Sequence, residues 1–92
     1  MTYEEMTNTQ LNNAIAHRRA SDMKNWANDA NDALALFEET GYALTSSGAH
    51  YLQAWKVYEL ADIELVTHDA NPARAMTIAW LRWRDWVERG TK

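Results

Sequence analysis

Tryptophan recurs at every third position near the end of this chain, at Trp80, Trp83 and Trp86, inside a segment that carries its own start and stop signals. Asn71 is a residue type that caps helix N-termini, Pro72 fits the first helical position, where a missing N–H is no loss, and Gly90 suits the left-handed position just past a helix. Between them Met76, Ala79, Trp80, Trp83 and Val87 fall on one helical stripe, widened by Ala75 and Trp86. Truncating one buried Trp costs about 3–5 kcal/mol, against a total of roughly 5–15 kcal/mol for a small domain. The segment 71–90 is therefore expected to be the core helix. Ile78 and Leu81 fall on its charged side and read either as a second packing edge or as an exposed contact.

With 92 residues, one domain over 1–92 is expected, with a single modest core. Cysteine is absent, which removes disulfides and thiolate metal sites and points to a reducing cytoplasm. No apolar run reaches the roughly 18–20 residues of a membrane span. The first six residues hold Glu4 and Glu5 and no basic residue, so no secretory leader is expected there. The net charge of −4 is uneven: residues 1–46 carry seven acids against three bases, whereas residues 47–92 balance. Binding to free DNA is disfavoured by that balance. The acidic half suits a basic partner surface or is a plain solubilising surface.

The fold class expected is α+β: two N-terminal helices, a three-stranded antiparallel sheet, and a C-terminal amphipathic helix packed on the sheet. Thr7 and Gln10 have capping-box spacing, with Met6 and Leu11 placed as a hydrophobic staple, and the first helix is expected to end near Ala20. Met23 and Trp26 anchor the following linker. Asn28 or Asp29 caps the second helix, whose apolar stripe reads as Ala30, Ala33, Leu34 and Phe37, with Gly41 ending it. Turn signals at Gly41 and Ser46-Ser47-Gly48 and strand-favouring residues from Tyr51 to Thr67 predict strands at about 42–46, 50–58 and 62–68, with a tight turn at 59–61. A helix across 49–66 is the rival reading.

The order of "EMTNTQLNNAIA", "WANDANDALALFEE", short strands with turn glycines, and "HDANPARAMTIAWL" resembles small phage and prophage accessory proteins of the phage α-β-α sandwich type. The resemblance implies a helix–helix–three-strand–helix arrangement and a phage accessory role. In general character, such small acidic proteins are also similar to anti-CRISPR inhibitors. No catalytic residues come with the resemblance.

The chemistry present is sparse. No phosphate loop, nucleophile elbow or Ser-His-Asp spacing appears, and neither an enzyme nor a cofactor is expected. His50, His68 and Asp69 are the only metal-ligand candidates, with His68 placed opposite Gln53 if the two strands turn at residue 60; ordinary surface histidines are the plainer reading. Arg18, Arg19 and Lys24 form one basic cluster, and Arg74, Arg82 and Arg89 lie on one side of the last helix. These read as phosphate contacts or as solvated helix charge. The reading that follows is a non-enzymatic inhibitor of a host defence ribonucleoprotein that blocks nucleic-acid access to a CRISPR surveillance complex. Asp29, Asp32, Glu38 and Glu39 would meet basic channel residues, and Arg18, Arg19 and Asn12 would meet guide RNA or acidic loops. The alternative is a self-associating structural or regulatory phage protein. A monomer or weak homodimer in the host cytoplasm is expected, without membrane contact.

Overall fold

A computed structural model describes residues 2–49, 52–59, 64–69 and 71–89. A 3-10 turn at Tyr3–Glu5 precedes helix α1, Asn8–Arg19; helix α2, Ala30–Phe37, runs on into a second 3-10 turn at Glu38–Thr40. Strands β1 (Ala43–Ala49), β2 (Leu52–Glu59) and β3 (Glu64–Asp69) follow, then helix α3, Pro72–Glu88.

Local chemistry sets the helix boundaries. The Thr7 side chain accepts from Gln10 N at 3.2 Å while Gln10 returns a bond to Thr7 N at 2.8 Å, closing the capping box of α1. Asp29 Oδ1 accepts from the Asn31 and Asp32 amides to start α2, and Asn71 Oδ1 accepts from Ala73 N at 2.9 Å to start α3, with Pro72 at its first position. Helix α1 ends on Ala20 in the left-handed conformation, φ 52°, a place usually given to glycine. Gly41 takes the same conformation, φ 71°, at the entry to β1.

The strands pair in the order β1-β2-β3, both pairs antiparallel. The ladder runs from Ala43↔Tyr58 to Ala49↔Leu52 on one side and from Trp55↔Asp69 to Glu59↔Glu64 on the other, with a register irregularity between Val57 and Tyr58. His68 is paired with Lys56 rather than with Gln53. Of the expected turn at 59–61, Glu59 is the last residue of β2 and the rest lies outside the described residues, as do His50, Tyr51 and Gly90.

The expected α+β platform, with the C-terminal helix laid on a sheet, is overturned by where the core sits. Most described residues are helical, and among the residues whose burial is described every buried apolar one lies in a helix or in the linker before α2. Helix α3 touches α2 most extensively, β3 and β2 less, and α1 as well. Residues Ala75 to Leu81 are all buried, so this stretch is enclosed around its whole circumference rather than amphipathic. One cluster joins Leu11, Ile15, Trp26, Leu36, Ile78, Trp80 and Leu81; a second joins Ala33, Phe37, Ala73, Met76 and Ala79, with Tyr42 and Leu44 against it.

Ile78 and Leu81, read as either a packing edge or an exposed contact, are fully buried and so form a packing edge. Other sequence expectations are corrected. Trp86 and Val87, assigned to the core stripe, are 38% and 44% exposed, because α3 leaves the core in its last turns. The stripe of α2 is Ala33, Leu36 and Phe37, with Leu34 exposed, and Met23 is exposed rather than an anchor.

The two left-handed residues give a matched prediction. A left-handed non-glycine residue costs about 1–2 kcal/mol, so Ala20→Gly raises unfolding free energy by about 1 kcal/mol, net of the added unfolded-state entropy of glycine. Gly41→Ala lowers it by a similar amount through backbone strain alone, since an added Cβ there meets nothing within 4 Å. Urea denaturation of both variants reads the two signs.

Candidate functional site

Three chain segments converge around the end of α1. The last turn of α1 supplies Arg19, the linker supplies Ser21, Asp22, Lys24 and Trp26, and α2 with its trailing turn supplies Asp32, Ala35, Leu36 and Glu39. They line a cleft of about 350 Å³. Buried Trp26 and Leu36 give it an apolar floor, and carboxylates and cations stand around its mouth. The left-handed Ala20 turns the chain at the end of α1, and the Ser21 amide bonds back to Ala16 O at 3.1 Å.

One wall is a fixed network. Arg19 Nη1 donates to Glu39 Oε2 at 2.6 Å, and Trp80 Nε1 donates to Glu39 Oε1 at 3.2 Å. The guanidinium carbons of Arg19 and Arg84 each lie 5.9 Å from the Trp80 ring centroid, within cation–π range. Arg84 Nε also donates to Glu88 at 3.1 Å. Partial burial pushes the Glu39 carboxyl upward, but the bonds from Arg19 and Trp80 outweigh it and hold the group below the usual carboxylate range.

Of the residues singled out from sequence, Arg19, Asp32 and Glu39 meet in this cleft. Asp29 and Glu38 are exposed at the two ends of α2, Asp29 with an oxygen committed to the helix cap. Asn12 does not join them: it is only 4% exposed, accepts from Ala27 N at 2.9 Å and donates to Asn25 Oδ1 at 3.1 Å, fixing the linker from inside. Arg18 points elsewhere, donating to Asp85 Oδ1 from Nε and Nη2 at 3.2 and 3.0 Å and to Tyr3 Oη at 3.1 Å.

The last-helix arginines also have partners within the chain. Arg74 donates to Asn8 Oδ1 at 2.7 Å and to Glu4 O at 3.0 Å, and Arg82 pairs with the Glu4 carboxylate. The Tyr3 hydroxyl donates to Asp85 Oδ2. Burial and that bond to a carboxylate raise the Tyr3 phenol to about 12. Partial burial raises the Glu4 carboxyl, but bonds from its own backbone, Arg82 and Thr67 together hold it below its ordinary value.

Sequence reasoning missed Trp26 as a cleft floor and Tyr3, Glu4 and Asp85 as a cross-chain cluster. Trp26 carried a signal, an aromatic in a polar linker. The cluster carried none, because Asp85 lies 82 positions from Tyr3. Among the described residues no three His, Asp or Glu side chains converge as a metal site, and no described helix is long and apolar enough to cross a membrane. No family model, no curated protein and no solved structure matches the chain.

Two predictions follow from the bonding. Glu4 and Glu39 are depressed in the folded chain, so their stabilisation is present above the unfolded carboxylate value of about 4.3 and is lost as pH falls through their lower folded values. Glu4→Gln/Glu39→Gln therefore flattens the acid side of a stability–pH profile followed by circular dichroism. Asn12→Ala strands the buried Ala27 N–H and costs about 1–3 kcal/mol, whereas exposed Glu38→Gln stays within about 0.5 kcal/mol of wild type, both read by urea denaturation.

Proposed function

We propose that this chain is a non-enzymatic binding protein that sets its acidic side on a basic protein surface of the kind that holds nucleic acid, and so denies that surface to nucleic acid. The observation that carries this reading is the charge pattern of residues 25–55, which hold Asp29, Asp32, Glu38 and Glu39 and no Lys or Arg. A surface of one sign beside a cleft with an apolar floor combines steering of a basic partner with area to bury against it. Binding of this kind is fast at low ionic strength and weakens as salt screens the charges.

The resemblance to phage accessory proteins gives the proposal its specific form: the partner is a CRISPR surveillance complex, and the chain blocks target access to it. Arg19, at the edge of the acidic side, would exchange its pair with Glu39 for guide RNA or an acidic loop beside the basic channel. Arg18 and Asn12 are not needed for this contact, since their polar atoms serve the chain's own packing.

Asp32→Lys/Glu38→Lys tests the reading without removing a helix cap or the Arg19–Glu39 pair. Wild-type protein is expected to compete with target DNA for a purified guide-loaded complex, and the double reversal to compete at least about ten-fold less well, a loss of roughly 1.4 kcal/mol. Equal competition by the reversal removes the acidic side as the contact. No competition by wild type removes the partner class.

A further inference from the structure

Arg74, Ile78, Leu81, Arg82 and Asp85 follow helical spacing and run along one side of α3. The N-terminal segment 2–6 lies along this stripe and bonds to both of its ends. Arg74 donates to the Glu4 and Met6 carbonyls, Arg82 pairs with the Glu4 carboxylate, and the Tyr3 hydroxyl donates to Asp85. Ile78 and Leu81, midway along the stripe, are fully buried, and Tyr3 and Met6 pack against the cluster that contains them. The segment thus behaves as a peptide seated in a groove, held by two cations, one carboxylate and an apolar centre.

Among the described residues it joins the rest of the fold through the Met6–Thr7 step. Both residues are extended there (φ −78°, ψ 146° and φ −70°, ψ 163°), and α1 begins afresh after it. The bonds from the segment to α3 join residues 68 to 82 positions apart, so none depends on chain proximity. The capping bonds Thr2 makes to Glu5 are internal and travel with the segment.

We propose that this side of α3 is a peptide-binding groove, filled in the single chain by its own residues 2–6 and able to take the same residues from a second copy. The segment supplies the complement: a hydroxyl for Asp85 and Arg18, a carboxylate for Arg82, carbonyl oxygens for Arg74 and an apolar side chain for the centre. Exchange of an identical element between copies needs no new contact. A short tether gives the attached segment an effective concentration in the millimolar range, so the single chain closes on itself and exchange appears once self-closure is weakened.

Two full-length variants separate these states. In Glu4→Arg the segment repels its own Arg82, and in Arg82→Glu the groove repels its own Glu4. Each alone also mismatches a second copy of itself. Mixed, the arginine at 4 meets the glutamate at 82, and the native Glu4 meets the native Arg82. The expected result in sedimentation is that each variant alone is a monomer while the mixture forms a one-to-one heterodimer, at least about ten-fold tighter than either self-association. The double variant Glu4→Arg/Arg82→Glu closes on itself again and sediments as a monomer. A mixture that stays monomeric while both variants keep native circular dichroism overturns the proposal.

A labelled peptide of residues 2–7 supplies an independent readout should either variant fold poorly. It is expected to bind Glu4→Arg at least about ten-fold more tightly than wild type, whose groove is occupied. Equal binding to both, or equal binding of a scrambled peptide of the same charge, overturns the proposal.

Discussion

Enclosing one helix on every side is the constraint from which the rest of the structure follows. A stretch from Ala75 to Leu81 with no exposed residue needs cover around its full circumference. Helix α2 covers it through Ala33, Leu36 and Phe37, α1 through Leu11 and Ile15, and the linker through Trp26. Thr77, the polar member, is accommodated because its hydroxyl donates to Ala73 O at 2.7 Å, so no group is stranded inside the helix. The strands complete the cover on the sides nearest β2 and β3.

Around that apolar centre the charged residues act chiefly as fasteners. Arg18, Arg19, Arg74 and Arg82 each bond to an element far away in sequence. Single exposed ion pairs contribute at most about 1 kcal/mol, and these gain from being grouped and partly shielded. The bidentate geometry of arginine suits this work, since one guanidinium ties Asp85, Tyr3 and Ala14 together. Phosphate binding by such a residue would compete with the fold's own contacts.

Local signals were legible from the residues, and long-range geometry was not. The caps at Thr7, Asp29 and Asn71 need only the residues within three positions, and each occurs where its sequence pattern places it. The sides of the helices were misread wherever a stripe was assigned from polarity alone. Ile78 and Leu81 sit among arginines in sequence, which left a packing edge and an exposed contact both open; they are fully buried, and Arg74 and Arg82 reach Glu4 in the chain before α1, which no periodicity reveals. The tryptophan row was misread in the opposite sense: Trp80 is buried and Trp86 is exposed because α3 outlasts its cover. In the cleft, Arg19 and Glu39 could not be paired from sequence, being 20 positions apart on different helical segments.

Glu39 gives the cleft a selectivity that charge counting misses. One of its oxygens faces Arg19 at the mouth while the other receives the indole N–H of the fully buried Trp80. A visitor that drew the whole carboxylate toward itself would leave that indole unsatisfied, a penalty of about 1–3 kcal/mol. A visitor that engaged only the outward oxygen would pay nothing of the kind. A ligand in this cleft would therefore be selected by approach angle as well as by sign, because one carboxylate oxygen is already committed to the protein's interior.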